Sequence, residues 1–164
     1  MRKIGSWPIT IAALFLAFLT YSLLGAVDPA LVTLINPFVV LVFSVAMLYG
    51  ETAGLLMGTA AGLLQDAFSY GVFGLAGLSF IMSGFLMGWF SQKLDLNSFS
   101  KRFLFVFIFS ILQLSIWVIL YALIFKKSLL YTQPFIYLQP ATTSLLVSGL
   151  VWLFRKWQLK GDVG

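Results

Sequence analysis

The chain contains no cysteine and no histidine, and only five acidic residues among 164. That removes disulfides, thiol nucleophiles, imidazole proton relays and the usual zinc ligands in one step. Charge of either sign is scarce, with 9% of residues charged against 61% hydrophobic and a mean hydropathy of +1.03. So little polar surface could not cover a water-soluble core, and the chain reads as an integral membrane protein. Near-uncharged runs recur at about 9–26, 31–49, 52–68, 72–90, 103–125 and 137–154, each close to the ~20 residues that cross ~30 Å of hydrocarbon. Six such spans leave no length for a soluble catalytic domain. The expected fold is all-α: a single polytopic domain, a bundle of six transmembrane helices.

The ten basic residues sit at span ends and not along a stripe with interleaved aromatics, so they argue for topology and against nucleic acid. Under six spans Arg2, Lys3, Lys93, Lys101, Arg102, Arg155, Lys156 and Lys160 share one side, and Lys126 and Lys127 take the other. Positive residues are retained in the cytoplasm, which places both termini inside. The first run follows Arg2-Lys3 but lacks a good small-x-small cleavage site, and it reads as a retained helix.

The informative stretch is Gly54-x-x-x-Gly58-x-x-x-Gly62-x-x-x-Asp66, followed by Gly71, Gly74 and Gly77. Four-residue spacing keeps the glycines on one slowly drifting stripe, where a missing Cβ lets another helix backbone approach closely. The stripe suits either a helix of its own bundle or a partner helix. Asp66 is the only acid inside a hydrophobic run, and such an acid is costly unless solvated, paired or neutralised. Near the outer end of its span it can cap the start of the next helix, with contact to a ligand or partner as the alternative. Glu51 lies at the far end of the same helix, roughly 22 Å away at 1.5 Å per residue, which excludes a catalytic carboxylate pair. No catalysis and no cofactor or metal site is expected.

Asn36-Pro37 interrupts the second run, where the missing proline N–H frees a carbonyl and predicts a helix kink. Gln65, Gln113 and Gln139 read as interhelical hydrogen-bonders. Ala13-x-x-x-Ala17 is a second, shorter small-residue pair on the first span.

The order Asn36-Pro37, Gly54, Gly58, Gly62-Leu63, Asp66, a short turn, then Gly74 resembles the rod shape-determining MreD family. The resemblance implies a non-catalytic subunit of the bacterial elongation machinery in the cytoplasmic membrane. It implies MreC as direct partner and the RodA/penicillin-binding-protein synthase and MreB as indirect ones, helping to organise peptidoglycan synthesis for cell shape. Gly54, Gly58, Gly62, Asp66, Gly71 and Gly74 become the partner or helix-packing residues; lipid surrounds the bundle, and self-association is left open. The alternative is a substrate-binding membrane subunit of an energy-coupling-factor vitamin transporter. The two families share a fold, and Ala13-x-x-x-Ala17 resembles the docking face of such subunits. Against transport stands the absence from the sequence of a dense polar and aromatic cluster for a hydrophilic vitamin.

Overall fold

The computed structural model describes residues 7–68, 73–125 and 134–161, and every regular element among them is helical. In chain order these are α1 (Trp7–Val27), the short α2 (Pro29–Leu34), α3 (Pro37–Tyr49), α4 (Glu51–Phe68), α5 (Leu75–Ser91), α6 (Phe99–Phe125), a 3₁₀ turn (Pro134–Leu138) and α7 (Gln139–Gly161). Four stretches are long and apolar enough to cross a membrane: Pro8–Val27, Pro29–Tyr49, Phe99–Phe125 and Ile136–Trp157. The remaining two crossings, α4 and α5, are shorter, and α4 is rich in glycine and alanine. They make the most extensive helix–helix contact in the molecule.

Two ends of the bundle are defined by contacts. At one, Gly88 lies against Gly50 and Glu51, Arg155 Nη1 donates to Asn97 Oδ1 at 3.1 Å, and Lys101 stands 4.0 Å from Asp95. Among the described residues this end gathers Lys93, Lys101, Arg102, Arg155 and Lys156, and it is cytoplasmic. At the other, outer end Asn36 meets Gln65, Asp66 meets the start of α5, and Thr142 meets Leu34.

The central helix is α3, packed against α1, α4, α5 and α7. Phe38, Val39, Phe43 and Ala46 are fully buried, joined by Met57, Ala61, Phe80, Met87, Val106, Val147 and Val151. Small polar residues share this interior: Ser44, Ser79, Ser83, Ser144 and Ser148 are buried while Ile9, Phe15, Leu16, Leu23 and Leu123 face outward. A soluble protein would sort them the other way. In lipid no hydrophobic force draws large side chains inward, so interfaces take small residues and hydroxyls that bond their own helix. Ser44 and Ser83 do so, donating at 2.7 Å to the carbonyls of Val40 and Ser79.

At Asn36-Pro37 the chain departs from the expected kink and breaks the helix outright. Pro37 has no N–H, and its ring disfavours helical geometry at the residue before it. Asn36 accordingly adopts φ −94°, ψ 103° and becomes the N-cap of α3. Its Oδ1 accepts from the N–H groups of Phe38 at 3.1 Å and Val39 at 3.4 Å. With Phe38 N–H so engaged, the Leu34 carbonyl has no partner within its own helix. The Thr142 hydroxyl on α7 donates to it at 2.5 Å, so a third element satisfies what the break releases.

Candidate functional site

Two polar constructions occupy the outer half of the bundle. The first closes the seam between α4 and α5. Gly54, Gly58 and Gly62 all face α5, and no partner helix could reach them there. A Cβ built on Gly58 would stand 2.5 Å from the Phe80 carbonyl oxygen; one on Gly54 would meet the Gly84 carbonyl, and one on Gly62 would meet Gly77 Cα. Asp66, 7% exposed, ends this face. Its carboxylate accepts from the N–H groups of Gly74 at 3.0 Å, Ala76 at 3.0 Å and Gly77 at 2.9 Å. These are orphan donors of the α5 N-terminus, where a negative group is also favoured by the helix dipole. Gly74 is the α5 N-cap at φ +98°, a left-handed conformation that suits glycine. Gly71 lies outside the described residues.

The second construction is a cavity of about 210 Å³ between α1, the α2–α3 break, α4, α6 and the start of α7. Its polar wall is Asn36, Gln65, Gln113 and Gln139, and its aromatic wall is Tyr21 and Trp117. The helix break delivers Asn36 here: with Oδ1 spent on the cap, Nδ2 is turned to Gln65 Oε1 at 2.9 Å. Gln65 and Asp66 are neighbours on α4 with divided duties, one lining the cavity and the other tying α5. Trp117 stacks on Tyr121 one turn along α6, centroids 5.6 Å apart, and Tyr21 packs on Phe38 at 5.1 Å. Both rings are thus held in place by neighbours that do not line the cavity. No lining residue carries a formal charge.

Gln113 is only 3% exposed, and its Oε1 has no hydrogen-bond partner. A buried acceptor without a partner costs stability; the Gln113 side chain borders the cavity, and a turn of its amide would present that oxygen to a donor there. Arg102, at the cytoplasmic end, also keeps Nε and Nη1 without partners. It donates from Nη2 to the Asn97 carbonyl at 3.4 Å and is 2% exposed, far from the outer cavity.

The cluster contradicts the expectation that no dense polar and aromatic site exists. The sequence hid it because its members come from five separate elements, and each glutamine alone resembles an ordinary interhelical bonder. The available signal was that Gln65 and Gln139 fall toward the outer ends of their spans, with Gln113 near the middle of α6. Of Ala13-x-x-x-Ala17, Ala17 is 8% exposed and belongs to the core, while Ala13 is half-buried.

Among protein-family models, the one described as ECF-type riboflavin transporter, S component, matches residues 5–153. No curated protein matches the chain, and no solved structure does. The family match overturns the MreD resemblance, and with it the cell-shape role and the expected partners MreC, RodA/penicillin-binding-protein synthase and MreB. The physical reason is visible in the seam. Glycines four apart leading to an aspartate solve a general problem, bringing two helices together and tying the turn between them, and are not particular to one family.

Proposed function

The chain belongs to the ECF-type riboflavin transporter S-component family, and from that premise we propose that it is the substrate-binding membrane subunit of an energy-coupling-factor transporter, with the outer cavity as its substrate site. It is a multi-pass protein of the bacterial cytoplasmic membrane. The observation that carries the reading is the convergence of four carboxamides and two aromatic rings in one cavity, at the end away from Lys93, Lys101, Arg102 and Arg155. Ligand sites combine apolar walls with a few convergent polar groups in this way.

The lining also narrows the ligand. A charged solute held among uncharged walls would lose its hydration without gaining a counter-ion, at a cost of several kcal/mol. The site therefore suits a neutral molecule with a flat face for Trp117 and Tyr21 and hydrogen-bonding edges for the amides. Riboflavin has these properties: an uncharged tricyclic ring with an imide edge, and a polyol tail. At about 210 Å³ the cavity falls below the ~300–1,000 Å³ of typical sites. It encloses the ring system, while the tail lies at the mouth.

In this role the subunit binds substrate and hands it on without catalysis of its own. Its expected partners are the ATPases and the T component of the transporter's energising module. The test is titration of the detergent-purified protein with riboflavin, followed by quenching of flavin fluorescence. Saturable one-site binding with Kd below about 1 µM is expected. Trp117→Ala weakens it by about tenfold or more through lost stacking. No saturation up to roughly 100 µM would remove riboflavin as the ligand.

A further inference from the structure

The carboxamides of the cavity are not equivalent, and the difference assigns one of them a specific task. Asn36 is committed at both ends, Oδ1 to the α3 cap and Nδ2 to Gln65. Gln65 Oε1 is occupied by that same bond. Gln113 lies deepest among them, almost fully buried on α6, with its oxygen unmatched. Other buried groups without partners include the hydroxyls of Ser110, Thr143 and Ser148. A hydroxyl rotates freely and readily finds a carbonyl of its own helix. A glutamine amide has a fixed planar edge, and this one borders the cavity.

Resting on the substrate-site reading above, we infer that Gln113 is the specificity-determining residue for a cis-lactam or imide edge of the substrate. A primary carboxamide presents a C=O and an N–H side by side. A ring N–H flanked by a ring C=O presents the complementary pair, so the two meet in a paired, two-bond contact. The inference survives rotation of the amide, because either orientation leaves one acceptor and one donor on the edge. On binding, the amide turns its edge into the cavity it borders: the Gln113 oxygen, shielded and unpartnered without ligand, takes the ring N–H, and its amino group serves the adjacent carbonyl. Selectivity follows from burial: a ligand lacking the N–H leaves the Gln113 oxygen unmet in a site that water no longer reaches.

N3-methylriboflavin keeps the ring, tail and neutrality of riboflavin and replaces the imide N–H by a methyl group. The wild-type protein is expected to bind it roughly ten- to hundredfold more weakly than riboflavin. In Gln113→Met, riboflavin itself weakens by a similar factor, and the ratio between the two ligands falls to within about threefold. The wild-type comparison needs no variant to fold. Equal binding of both ligands by the wild type overturns the inference while leaving the cavity as the flavin site. Discrimination that persists undiminished in Gln113→Met also overturns it, since another group would then read the edge. If the wild type binds neither ligand, both the inference and the riboflavin reading fall.

Discussion

The α4–α5 seam and the outer cavity both place polar groups inside a chain otherwise suited to lipid, a carboxylate in one and carboxamides in the other, yet they treat those groups in opposite ways. In the seam every handle is used: glycine meets backbone, and the Asp66 carboxylate collects three N–H groups. In the cavity the Gln113 oxygen is left open. Inside a bilayer there is no bulk water to hide such a deficit. For these two constructions, satisfaction by the protein's own chain separates Asp66, which holds the fold, from Gln113, which borders the cavity; Arg102, Ser110, Thr143 and Ser148 also lack partners but do not line it.

The comparison breaks most readily at Gly58. A leucine there places its Cβ 2.5 Å from the Phe80 carbonyl oxygen and 2.8 Å from the carbonyl carbon. Those atoms belong to a helix backbone and cannot rotate aside. Overpacking a core costs about 1–3 kcal/mol when side chains can adjust, and here only helix separation relieves the clash. Gly58→Leu is expected to abolish the monodisperse folded species in size-exclusion chromatography, and riboflavin binding with it. A folded, binding-competent Gly58→Leu would mean that the two helices are not in backbone contact.

Asp66 supplies the next largest effect. Asp66→Ala leaves three N–H groups without their acceptor and is expected to cost about 2–4 kcal/mol, read as a lower thermal unfolding midpoint. Asp66→Asn retains one acceptor oxygen and costs less. Because Asp66 does not line the cavity, the folded fraction of either variant keeps its riboflavin affinity within about threefold. Unchanged stability with lost affinity would move Asp66 from the seam to the ligand site.

Much of the fold was legible in the sequence, and the reason is that lipid imposes simple rules. Hydrophobic run length announced a multi-pass helical bundle, and lysine and arginine placement its cytoplasmic end. The Asn36-Pro37 pair announced an irregularity, but its form depended on a distant residue. Only with Thr142 of α7 to donate to the loose Leu34 carbonyl can the helix break fully and not merely bend. The glycine stripe disclosed that some backbone would come close. It could not disclose whose, since a helix of the same chain and one from another protein need the same spacing. The cavity was the least legible part, because Tyr21, Asn36, Gln65, Gln113 and Gln139 are brought together only by tertiary packing. The resemblance to a cell-shape family drew on the seam, the part of the molecule whose design is most general.

The smallest expected effect on stability is also the one that sharpens the comparison most. If the cavity amide is kept for a ligand, then removing it should cost the empty protein nothing. Gln113→Met fills nearly the same volume with a flexible apolar chain and deletes a buried acceptor that has no protein partner. The unliganded variant is therefore expected to unfold at the wild-type temperature or slightly above it, within about 0.5 kcal/mol. Added riboflavin stabilises the wild type by mass action and the variant far less. A Gln113→Met protein that loses as much stability without ligand as Asp66→Ala would place Gln113 among the groups that hold the bundle together. The open oxygen would then be occupied by ordered water that belongs to the fold.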